Sequence, residues 1–94
     1  MIKHKEPEYV EPLIAPTKPT KIVKDIMARQ HVNALDMADA LNMTPNAVRN
    51  RLVMDNISVD KLDEMLSELG YKILIVPSNT KLRNREYEVV PDRE

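Results

Sequence analysis

Between Asn33 and Leu52, helix-start and helix-stop signals follow one another so closely that only two short helices and a tight turn fit. Asn33 is an N-cap residue with Asp36 three positions on, where a carboxylate favours the positive end of a helix. Val32 before the cap and Met37 in the first turn are spaced to form a hydrophobic staple. The helix carries Leu35, Ala38 and Leu41 and stops at Asn42, one of the few residue types besides glycine that tolerates a left-handed terminus. Only Met43 separates this stop from Thr44–Pro45, an N-cap followed by a first-turn proline. The second helix runs from Pro45 to about Met54, with Val48 and Leu52 facing inward. A residue as small as Ala38 in mid-helix lets the two cross closely and steeply, with Leu41, Met43 and Val48 locking the pair.

The flanking sequence supplies the rest of a core. Thr20 reads as the N-cap of an earlier helix with Ile22, Ile26 and Met27 on one stripe, ending near Gln30. Ser58 caps a later helix whose apolar side is Val59, Leu62, Leu66 and Leu69, and Gly70 stands where a C-terminal glycine belongs. Tyr71 to Val76 is rich in branched apolar residues and is predicted as a strand stopped by Pro77, with Ser78–Thr80 as a turn and Tyr87–Val90 as a weaker second strand. A lone strand has unpaired edges, so it is expected to form a hairpin or to pair with its own copy, contributing Tyr71, Ile73, Leu74, Ile75 and Val76 to a dimer interface. Ahead of the helices, Pro7, Pro12, Pro16 and Pro19 disfavour regular structure. Residues 1–19 are therefore expected to be an extended or disordered arm, in which Val10, Leu13 and Ile14 are the residues able to dock. The expected architecture is mostly α: a compact four-helix core over 20–70, followed over 71–94 by a strand or hairpin and tail.

Composition removes several function classes. A chain of 94 residues allows one domain of ordinary size. Without cysteine there are no disulfides, thiolate metal sites or thiol nucleophiles. With no Phe or Trp and three Tyr, stacking platforms for single strands are not expected, and a single glycine does not build a phosphate-cradling loop. His4 and His31 have no partner at metal-ligand spacing, Asp60, Asp63 and Glu64 read as a solvated helix face, and Met27, Met37, Met43, Met54 and Met65 read as core or near-core. No enzyme activity, metal or cofactor is expected. The longest apolar run, Ile73–Val76, is far too short to span a bilayer, and Lys3, His4, Lys5 and Glu6 stand where a signal peptide needs apolar residues. The chain is read as soluble and cytoplasmic.

What remains is a polar face on the Pro45 helix: Asn46, Arg49 and Asn50, with Val53 further along. Arginine suits guanine edges and asparagine suits adenine. Through Ala38, Leu41, Met43, Thr44 and Val48 the chain resembles the helix-turn-helix of the lambda-repressor-like (Cro/cI, or Xre-type) DNA-binding domains. The likeness continues through Asn56–Ile73, which resembles that family's next loop and helix with its Leu-Gly ending, and spans about residues 20–75. The resemblance implies a double-stranded-DNA-binding regulator of phage or bacterial type, working as a homodimeric repressor. In it Asn46, Arg49 and Asn50 would contact bases, and Asn33, Thr44 and Arg51 phosphates. The sequence departs from the family at Asn42, where glycine is usual, at Pro45, where a polar contact is frequent, and at Arg51, where an apolar residue is usual. The predicted strand also replaces a fifth helix. The net charge of −1 hides opposed patches: residues 18–33 carry +3 and 44–54 carry +2, while 55–70 carry −4. The rival reading is a protein-interaction module, such as an antitoxin or inhibitor on the same scaffold, with partner contacts on the N-terminal arm or the C-terminal tail.

Overall fold

A computed structural model describes residues 17–90, so the expectations for the arm before Thr17 and for the last four residues lie outside the described residues. Four helices form: α1 (Pro19–Gln30), α2 (Ala34–Leu41), α3 (Pro45–Leu52) and α4 (Val59–Glu68). Three start as the sequence predicts. The side chains of Asn33, Thr44 and Ser58 accept hydrogen bonds from the amides of Asp36, Ala47 and Lys61 at 2.8, 3.1 and 3.2 Å. Asp36 returns the contact, its carboxylate accepting from the Asn33 amide at 3.1 Å, so the capping box closes with aspartate in place of glutamate. α1 starts two residues earlier than a cap at Thr20 implies. Proline's fixed φ suits the first helical position, so Pro19 opens the helix without a side-chain cap and Thr20 is buried inside the first turn.

α1, α2 and α4 end on one device. A left-handed residue follows each helix, at His31 (φ 58), Asn42 (φ 57) and Gly70 (φ 84). The next amide then reaches back to the helix: Val32 N–H to Met27 O, Met43 N–H to Ala38 O, and Tyr71 N–H to Leu66 O, each at 2.9 Å. This is the Schellman arrangement, and it turns the following side chain inward. Val32 is buried, and Met43 and Tyr71 are half-buried against the core. Asn42 thus takes the stop expected of it, while the left-handed His31 had no signal in the sequence.

The core is built from Ile22, Val23, Ile26 and Met27 of α1, Met37 and Ala38 of α2, Val48 and Leu52 of α3, and Leu62, Met65, Leu66 and Leu69 in and after α4, with Val32 between α1 and α2. The helices pack as a closed ring in which α1 and α2 each touch both α3 and α4. Two expected core positions are corrected. Leu35 and Val59 are 55 % and 68 % exposed, because each sits in a first turn whose inward direction is already filled by the residues that follow.

The C-terminal strand is also corrected. Among the described residues there is no strand, and Tyr71–Val76 is irregular chain without a ladder partner. Tyr87–Val90 supplies only a single parallel bridge, Val89 to Thr17, closed by Thr17 N–H to Glu88 O at 3.1 Å and Val90 N–H to Thr17 O at 2.9 Å. The turn by Thr80 does form, its amide bonding Pro77 O, but it does not bring the two segments together as a hairpin. Among the described residues, no helix is long and apolar enough to cross a membrane.

Two substitutions check this account in urea unfolding. Asn42→Val is expected to cost about 1–2 kcal/mol, the penalty of left-handed backbone for a branched residue, while Asn42→Gly holds or raises stability. Met65→Ala, at a fully buried site, is expected to cost about 2–5 kcal/mol.

Candidate nucleic-acid interface

α3 is two-sided. Val48 and Leu52 are buried against the core, while Asn46, Arg49, Asn50 and Val53, spaced at three and four residues, line its opposite face and are exposed. The side chains of Asn46, Arg49 and Asn50 form no hydrogen bond or ion pair with any described residue. Their donors and acceptors therefore face water, on a helix held by caps at its start and by packing beneath it. The three base-contact residues expected from the sequence thus lie together on one stripe.

The three expected phosphate contacts are placed differently from one another. Thr44 precedes α3, where its oxygen caps the helix and its hydroxyl hydrogen stays available to an acceptor. Asn33 has committed its side chain and its own amide to the capping box, and the Asp36 carboxylate puts negative charge at that helix start. The unsatisfied donors there are the neighbouring amides of Ala34 and Leu35. Arg51 points away toward α4: its Nη1 donates to Glu64 Oε1 at 2.7 Å, and its side chain is only 16 % exposed. A contact expected to face outward instead links α3 to the acidic α4 as an ion pair.

A polar cluster on the other side of α1 was not foreseen. Asp25 Oδ2 accepts from Arg29 Nε at 2.8 Å and from the Tyr87 hydroxyl at 2.7 Å. The Tyr87 ring stands edge-on to Tyr71, with centroids 6.2 Å apart. Burial, then the hydrogen bond to Asp25, hold the Tyr87 phenol well above its ordinary pKa, and the bond to Asp25 raises that of the Arg29 guanidinium. Nearby, Gln30 Nε2 donates to Leu69 O at 2.9 Å. The cluster latches the chain after α4 onto α1. Asp25 and Arg29 stand one helical turn apart and were readable as a pair. The tyrosine 62 residues away in sequence was not.

Comparison with protein-family models, curated proteins and solved structures gives no match to this chain.

Tyr87→Phe removes the latch hydrogen bond and is expected to cost about 1 kcal/mol in thermal or urea unfolding. The raised phenol pKa gives a sign in pH. Stability from Tyr87 is fully present below the unfolded tyrosine value of 10.0 and is lost as pH rises above it, since the unfolded chain ionises first. Between about pH 9 and 11, wild-type stability should therefore fall more steeply than that of Tyr87→Phe.

Proposed function

We propose that this chain is a sequence-specific double-stranded-DNA-binding regulator of the lambda-repressor-like kind, acting in the cytoplasm as a dimer and blocking transcription by occupying its site. The observation that carries the reading is the exposed stripe Asn46, Arg49 and Asn50, without partners among the described residues, on a short helix anchored beneath by Val48 and Leu52. A helix of this size enters a major groove, and these side chains present the paired donors and acceptors that base edges match.

In this reading Arg49 takes guanine O6 and N7, and Asn50 and Asn46 take adenine or flanking polar atoms. The Thr44 hydroxyl and the open amides of Ala34 and Leu35 meet phosphates, using the positive ends of α3 and α2. Arg51, held by Glu64, sets the tilt of α3 against α4 instead of paying out charge to the backbone of the duplex. The acidic α4 faces away from the duplex, since like charge repels phosphate. Two copies place two α3 helices on half-sites about one turn of DNA apart.

Selection from random double-stranded DNA tests the reading. The wild-type chain is expected to enrich a twofold-symmetric site. Arg49→Ala and Asn50→Ala should each weaken binding to it by about 1–3 kcal/mol and relax selection at one position per half-site, with helix content unchanged. Enrichment of no sequence, or full affinity in both variants, contradicts the assignment.

A further inference from the structure

The two arginines of α3 are held differently. Arg49 stands on the outer stripe, exposed and without a partner among the described residues. Arg51 follows Asn50 by about 100° around the helix, which puts it on the flank between that stripe and the buried side of Val48 and Leu52. Its Nη1 donates to Glu64 Oε1 at 2.7 Å, and its side chain is 16 % exposed against 57 % for Glu64.

The flank is where a helix in the major groove meets phosphate. The groove is about 12 Å wide and a helix with its side chains about 10–12 Å across, so each flank of an inserted helix runs beside a sugar–phosphate strand. A free arginine there takes a phosphate oxygen, and such a contact adds affinity on every sequence alike. Glu64 occupies that arginine. The pair is lopsided, because Glu64 keeps its contact with water while Arg51 has little. Without the carboxylate, Arg51 is a poorly hydrated cation that needs another anion. Asp60 and Glu68 stand one turn to either side of Glu64 on α4, and in a complex a phosphate is the competing anion.

We propose that Glu64 is a positioning residue that sets how well the chain discriminates its site from unrelated DNA, by holding Arg51 away from phosphates. The proposal rests on the DNA-binding reading and adds to it a residue that touches no DNA. Loss of Glu64 acts on both sides of the discrimination. It releases a cation that any duplex can use, and it frees α3 from α4, which weakens only the fit to the selected site.

The test is binding of the full chain to its selected duplex and to an unrelated duplex of the same length, each across a salt series. Glu64 is largely exposed and alanine favours a helix, so Glu64→Ala keeps the fold. This variant is expected to bind the unrelated duplex more tightly, with log affinity falling more steeply against log salt by about 0.9, the release of one counterion. Its gain over the wild-type chain then shrinks about threefold from about 50 to about 200 mM salt, and its ratio of selected to unrelated affinity falls. Asp63→Ala removes the same charge from an exposed position of α4 that has no partner among the described residues, and should leave the slope unchanged. Adding Arg51→Met to Glu64→Ala keeps the apolar stem without the cation, and should return the slope to the wild-type value. A wild-type slope in Glu64→Ala overturns the proposal, whether Arg51 stays in place or moves to Asp60 or Glu68. So does a gain matched by Asp63→Ala, or one that survives loss of the Arg51 cation. A wild-type chain that prefers no duplex defeats the DNA-binding reading and the proposal with it, whereas clear selection that Glu64→Ala leaves untouched defeats the proposal alone.

Discussion

Everything in this fold depends on three reversals of the chain through left-handed backbone. His31, Asn42 and Gly70 each end a helix, and each lets the next amide bond back to a carbonyl one turn inside it. The reversal satisfies carbonyls that a helix C-terminus leaves open, and it drives Val32, Met43 and Tyr71 toward the core. Helices of eight residues have little intrinsic stability. α2 and α3 persist because a reversal at Asn42 and a cap at Thr44 fold them directly onto each other and onto α1 and α4. Only one of the three reversals is made by glycine. The other two use residues for which left-handed backbone is costlier, and the burial of Val32 and the partial burial of Met43 offset that cost.

The consequence for function is mechanical. If α3 reads DNA, as proposed, it must present its side chains without spending them on its own fold. α3 achieves this because its cap is Thr44, its anchors are Val48 and Leu52, and its brace to α4 is Arg51 with Glu64. The face left over, Asn46, Arg49 and Asn50, carries no structural duty among the described residues. The Tyr87–Asp25–Arg29 latch acts similarly on the other side, fixing the path of the tail against α1.

Local signals in the sequence made much of this readable. The caps at Asn33, Thr44 and Ser58 and the stops at Asn42 and Gly70 involve residues a few positions apart, where residue type nearly determines conformation. The periodic core residues Ile22, Ile26, Val48, Leu52, Leu62 and Leu66 followed for the same reason. Periodicity failed at the first turns, where Leu35 and Val59 lie on an apolar pattern but have no neighbour to meet. The stripe Ile22, Ile26 and Met27 left out Val23, which stands three and four residues before Ile26 and Met27 and is fully buried where α1 packs against two helices at once. The roles of Arg51 and Tyr87 depend on partners 13 and 62 residues away, which no local rule reaches. The expected strand failed for a related reason: β-propensity describes how a residue fits a sheet, and a single chain offers Tyr71–Val76 no sheet to fit.

The central claim is that α3 meets DNA through its outer face. The most direct measurement is a map of backbone and side-chain amide NMR shifts as a selected double-stranded DNA is added to the protein. The account predicts that the largest changes fall on Asn46, Arg49 and Asn50, with smaller ones at Ala34, Leu35 and Thr44, and that Asp60, Asp63 and Glu68 on α4 stay still. Changes centred on α4 or on the tail, with α3 silent, would contradict it.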